Sequence, residues 1–80
     1  MKEEIIMLLC DVLELDDEKA IKIKGDFDLL GFGLDSLKAI ELVVMVEDKY
    51  GIMIDDDDLL VENFSTVDKI EKLILSYEQG

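Results

Sequence analysis

Three stretches of this chain repeat their apolar residues at the spacing of an α-helix, and no proline interrupts any of them. From Lys2 to about Leu15, Ile5, Leu8, Leu9, Val12 and Leu15 form a stripe widened by Ile6, Met7, Cys10 and Leu13, leaving Glu4, Asp11 and Glu14 to water. Glu3 and Glu4 suit the positive end of that helix's dipole. A second helix is predicted from Ser36 to about Tyr50, with Gly51 as its stop. Its apolar residues Leu37, Ala39, Ile40, Leu42, Val43, Val44, Val46 and Tyr50 sweep more than half the circumference, which predicts a central helix touched by several neighbours. Lys38, Glu41, Asp48 and Lys49 share the polar strip; Met45 falls inside that strip, and Glu47 lies towards the apolar side. The last helix is predicted to begin near Ser65, where Ser65-Thr66-Val67-Asp68 has the form of a capping box with Asp in place of Glu. Val67, Ile70, Leu73, Ile74 and Tyr77 make its apolar face.

The connections are less regular. Residues 16 to 35 have no sustained periodicity, yet Ile21, Ile23, Phe27, Leu29, Leu30 and Phe32 predict a loop packed onto the core, with a short helical turn at Leu29-Leu30. Lys19, Lys22 and Lys24 in this loop are the chain's one basic cluster. Ile52-Met53-Ile54 could pass as a strand by propensity, but with no second strand to pair with it reads as extended loop. Asp55 to Asp58 then precedes Leu59-Leu60-Val61, predicted as one or two turns of a short third helix. The expected fold is therefore all-α: a four-helix bundle with a long first loop and a short third helix, one domain over residues 1–80.

Charge narrows the function classes. Acidic residues number 21 against 8 lysines, with no arginine or histidine, for a net charge of −13. That balance opposes binding to nucleic acid and to anionic membranes, and it favours proteins with basic docking patches. No apolar run approaches the ~20 residues of a membrane span, and Lys2-Glu3-Glu4 does not read as a signal peptide. A monomer in the cytoplasm, not inserted in membrane, is the expectation. Cys10 alone can build neither an internal disulfide nor a metal site, and it reads as a small apolar filler of the first helix.

The remaining signal is Gly31-Phe32-Gly33-Leu34-Asp35-Ser36-Leu37, a glycine-bearing loop that ends in a serine at the start of the second helix. Without a histidine, Ser36 has no partner to activate it as a nucleophile of this chain's own, so no catalytic residue is expected. Asp35 and Ser36 are both good helix caps, and neither is followed by Glu or Gln three positions on. In its longer context, with Gly33 two residues before Asp35, Leu37 and Ile40-Glu41-Leu42 after it, and Glu47, Tyr50, Ile52 and Ile54 downstream, the string resembles the attachment site of acyl carrier proteins. The resemblance extends over nearly the whole chain, and the Ser65–Ile74 segment is similar to the start of that family's fourth helix.

The resemblance implies that Ser36 carries 4′-phosphopantetheine, transferred from coenzyme A by a phosphopantetheinyl transferase, and that acyl groups ride on the arm's terminal thiol as thioesters. Acyl-loading, synthase and transferase enzymes of fatty-acid, polyketide or related biosynthesis would be the partners. Asp35, Leu37, Glu41, Met45, Glu47 and Asp48 are the candidate recognition residues: acids around the attachment point, with Leu37 and an exposed Met45 as adaptable apolar contacts. Lys38 departs from the fatty-acid-synthase pattern, where the position two after the serine is often acidic; this leaves room for a polyketide or mixed pathway. Peptidyl carriers usually show a Gly-Gly pair before the serine, and Gly33-Leu34-Asp35-Ser36 fits acyl carriers better, although an aminoacyl or peptidyl carrier remains an alternative.

Two other classes compete. A small acidic calcium-binding protein would need oxygen ligands at positions one, three and five of an EF-hand loop, Gly at six and Glu at twelve. Counting from Asp26, Leu30 and Leu37 stand at five and twelve; counting from Asp55, Leu59, Leu60 and Thr66 stand at five, six and twelve. Neither loop qualifies, so no dedicated metal site is expected. An acidic adaptor with no prosthetic group differs by leaving Ser36 unmodified.

Overall fold

The computed structural model describes residues 1–79. It is all-α, as expected, with four α-helices among the described residues: α1 (Lys2–Leu13), α2 (Asp17–Ala20), α3 (Ser36–Tyr50) and α4 (Val67–Gln79). α1 packs against both α3 and α4, and the segment before α4 closes the remaining side. Ile5, Leu9, Leu29, Leu42, Val46, Phe64, Val67, Ile70 and Ile74 are fully buried where these elements meet.

Each boundary has a local cause. α1 ends two residues earlier than its apolar stripe, because Glu14 turns into the left-handed region (φ 54°). Leu15 then folds back half-buried, its N–H donating to the Cys10 carbonyl at 3.0 Å. α2 is a single turn within the long first connection, capped by Asp16 Oδ1, which accepts from Lys19 N at 2.9 Å. α3 has the limits expected of it and stops at Gly51. Ile52-Met53-Ile54 is extended loop, with Ile54 buried and Met53 exposed.

Two expectations are corrected here. The short third member of the bundle is wound as 3-10 turns at Asp56–Asp58 and Val61–Phe64, with Leu59-Leu60 between them instead of inside a helix. The repelling aspartates and the need to bury Phe64 favour short tight turns over a continuous helix. The cap of α4 is also one residue later than Ser65. Thr66 Oγ1 accepts from Lys69 N at 3.1 Å, so Lys69, not Asp68, stands at the third position and no capping box forms. Ser65 is buried and closes the preceding turn, its Oγ donating to the Glu62 carbonyl at 2.8 Å while its own carbonyl accepts from Leu29 N at 2.7 Å.

Gly25 shows how closely the first loop sits on α4. Its carbonyl accepts from Asp68 N at 2.9 Å, and a Cβ there would run into the Asp68 carboxylate. That carboxylate already pairs with Lys2 Nζ at 2.8 Å. Gly25→Ala should swing Asp68 away and lower the melting temperature by a few degrees. In an Asp68→Ala background the same change should cost nothing more. Equal losses in both backgrounds would show that the strain lies elsewhere.

Candidate attachment site at the start of helix α3

The loop before α3 is held from below. Leu29 and Leu34 are buried, and between them a 3-10 turn (Leu29–Phe32) is capped by Asp28, whose Oδ1 accepts from Leu30 N at 3.0 Å. Phe27 and Phe32 meet edge to face, ring centroids 4.6 Å apart. Gly33 reverses the chain at φ 98°, a conformation that a side chain would strain, and its N–H donates to the Leu30 carbonyl at 3.4 Å. Asp35 is then extended, and α3 begins.

Asp35, not Ser36, is the cap. Asp35 Oδ1 accepts from Lys38 N at 2.8 Å, and its carbonyl accepts from Ala39 N at 2.8 Å. Ser36 is therefore the first residue of the helix proper, exposed, with no hydrogen bond to its hydroxyl among the described residues. The first-turn amides of Ser36 and Leu37 stand at the positive end of α3, where a phosphate ester on Oγ is electrostatically favoured. A cap would have needed the hydroxyl, whereas an attachment point needs it free. The residues present fit a phosphopantetheine arm on that test.

At 100° per residue, Ser36, Leu37, Ile40, Glu41, Val44, Glu47 and Asp48 fall within about 140° of the circumference of α3. Leu37, Ile40 and Val44 are 64%, 55% and 60% exposed, so they form an apolar row between acids. Ile40 and Val44 had been expected to face the core with the rest of the apolar sweep, and the structure corrects this: the helix has fewer neighbours than its apolar arc implies. Their spacing of three and four from Leu37 was the signal for a second, outward stripe.

Met45 is corrected too. It is half-buried against the core, not an exposed thioether among charges. Glu41 and Asp48 are exposed, and Glu41 Oε2 lies 3.8 Å from Lys38 Nζ. Glu47 is half-buried and tied into the fold, its Oε2 accepting from Ile54 N at 2.8 Å.

Beside Ser36 the structure is hollow. A narrow cavity of about 50 Å³ is lined by Ser36, Ala39, Ile40, Val43, Leu59 and Phe64, among others. Ile40, Val43 and Leu59 also border a wider hollow of about 460 Å³, which continues past Val44 and Glu47 to Met53 and Ile54. Together they make an apolar cleft between α3 and the following loop. Sequence reasoning missed its outer wall, since nothing local marks Leu59 as facing Ile40. Cys10 lies half-exposed on α1, and partial burial with Asp11 and Asp17 nearby pushes its thiol above the ordinary range.

Comparison with known proteins agrees with this geometry. Residues 3–74 match the phosphopantetheine attachment site family. The meromycolate extension acyl carrier protein of Mycolicibacterium smegmatis is 37% identical over 62 residues, an alignment covering 72% of this chain and 61% of the relative. The chain thus spans less than two thirds of that relative's length. The chain belongs to the phosphopantetheine attachment site family, whose members hold that cofactor covalently.

Proposed function

We propose that residues 1–80 act as one acyl carrier domain whose arm is attached to Ser36. The observation that carries this reading is the free, exposed hydroxyl at the first position of α3, released from capping by Asp35. In the loading reaction Ser36 Oγ forms the new bond to the phosphorus next to pantetheine in coenzyme A. The bond to the departing adenosine bisphosphate breaks and its electron pair leaves with that group. The serine proton passes to a base of the transferase, because this chain has no histidine to take it. When bound, the arm supplies a flexible tether whose thiol holds an acyl group as a thioester. Gly33 and Asp35 position the serine, and the cleft along Ile40, Val43 and Leu59 shelters apolar acyl chains. A test is incubation of the apo protein with coenzyme A and a broad-specificity transferase: the mass should rise by one phosphopantetheinyl group, and an unchanged mass contradicts the reading.

The carried groups are acyl chains of fatty-acid, polyketide or related biosynthesis, a proposal supported by the relative's name, which ties that protein to meromycolate extension. The partners are the transferase and acyl-loading, synthase and transfer enzymes with basic docking patches. They meet α3 on its exposed arc, where Leu37 supplies apolar contact and Glu41 and Asp48 supply charge, with the capping Asp35 at its start and the half-buried Glu47 at its edge. Met45 contributes as a half-buried edge of that surface. We place the protein in the cytoplasm as a monomer; no described helix is long and apolar enough to cross a membrane.

Charge reversal at Glu41 or Asp48 should slow loading by about tenfold at low salt, within the range that electrostatic steering supplies. The difference should shrink towards physiological ionic strength, where the screening length is about 8 Å. Equal loading rates for variant and parent in low salt would remove those acids from the docking surface.

A further inference from the structure

The outer wall of the cleft is the segment from Ile54 to Leu59, whose one regular element is the 3-10 turn Asp56–Asp58. So short a turn has little stability of its own, and this one sits in a run of four adjacent aspartates that repel one another. Hydrogen bonds from both flanking helices hold it. From α3, Glu47 Oε2 accepts from Ile54 N at 2.8 Å. From α4, Tyr77 OH accepts from Asp55 N at 2.9 Å and donates to Asp58 Oδ2. Asn63 Nδ2 also donates to the Asp58 carbonyl, at 2.9 Å. Tyr77 thus grips both ends of the aspartate run, and among the described residues no other α4 side chain bonds to this wall.

The inner face of the same segment borders the cleft through Ile54, Asp55, Asp56 and Leu59. The narrow part beside Ser36 holds about 50 Å³, room for only a few water molecules. A long acyl chain can lodge there only if Leu59 and its neighbours move outward, and the Tyr77 bonds oppose that movement. We propose that Tyr77 is the positioning residue that limits how far the wall opens, and so sets the length of acyl chain this carrier shelters. The proposal rests on the reading of Ser36 as the attachment point and of the cleft as the shelter.

To test it, the parent and Tyr77→Phe are loaded with butanoyl, octanoyl and tetradecanoyl arms from the acyl-coenzyme A thioesters. Cleavage of each thioester by hydroxylamine is timed, and exchange of the Ile54–Leu59 amides is followed. The parent should protect octanoyl better than butanoyl and gain nothing further with tetradecanoyl. In Tyr77→Phe the wall amides should exchange faster, and tetradecanoyl should be cleaved severalfold more slowly than in the parent. A residue that merely stabilised the fold would, on removal, expose all three thioesters alike. Asp58→Ala should shift the profile in the same direction and add little to Tyr77→Phe, because the two act through one contact. An unchanged chain-length profile in both variants, beside a graded profile in the parent, overturns the role of Tyr77 alone. Equal cleavage of all three chains in the parent overturns the shelter itself, and failure of any arm to load overturns the Ser36 reading.

Discussion

Ser36→Ala is expected to take up no phosphopantetheine under conditions that fully convert the parent, while melting within about 0.5 kcal/mol of it. The stability half follows from the cap. Ser36 is exposed and its hydroxyl bonds to nothing among the described residues, while Asp35 satisfies the Lys38 amide at 2.8 Å. Alanine is also a better helix former than serine. The chemical half follows from the other hydroxyls. Ser65 is buried and donates to the Glu62 carbonyl, Ser76 donates to the Leu73 carbonyl at 2.6 Å within α4, and Thr66 caps α4. None combines exposure with the start of a long helix. Intact mass and a thermal melt read both halves; a loaded alanine variant would contradict the assignment, and a collapsed one would show that Ser36 also carries structure.

Phe64→Ala should be the most damaging change in the core. Phe64 is 1% exposed and ends the 3-10 turn Val61–Phe64, which packs against both α3 and α4. Truncating a buried Phe costs about 3–5 kcal/mol, the lost transfer energy plus the cavity left behind. A core in a domain this small supplies a net stability of about the same size. The variant should therefore lose its cooperative thermal transition at room temperature, whereas Phe64→Leu, which keeps most of the volume, should stay folded with a lower midpoint. Because Phe64 also lines the cavity beside Ser36, the leucine variant should still load but shelter acyl chains less well. A cooperative melt for Phe64→Ala within a few degrees of the parent would contradict its place in the core.

What could be read from the sequence was what is decided locally. The limits of α3, its stop at Gly51 and the serine at its start depend on residues a few positions apart, so Asp35-Ser36 and the apolar period were enough to find them. Which of the two capped the helix was left open, because both are good caps; the bond from Lys38 N to Asp35 decides it. Periodicity could not tell a core-facing residue from an outward one once apolar residues covered most of α3. Ile40 and Val44 therefore came out on the wrong side, and Met45 was expected to be exposed. The least legible features join distant residues: Glu47 to Ile54, Tyr77 to Asp55 and Asp58, and Ser65 to Leu29. Tyr77 read as one more member of an apolar face, and only the fold shows its hydroxyl reaching back across the chain to the aspartates.

The most direct measurement is fragmentation mass spectrometry of the parent protein after incubation with octanoyl-coenzyme A and transferase, before and after hydroxylamine. One acylated arm localised to Ser36, with hydroxylamine removing the octanoyl group and leaving the arm, is the predicted result. An arm on Ser65 or Ser76, or a chain that stays unmodified, would contradict it.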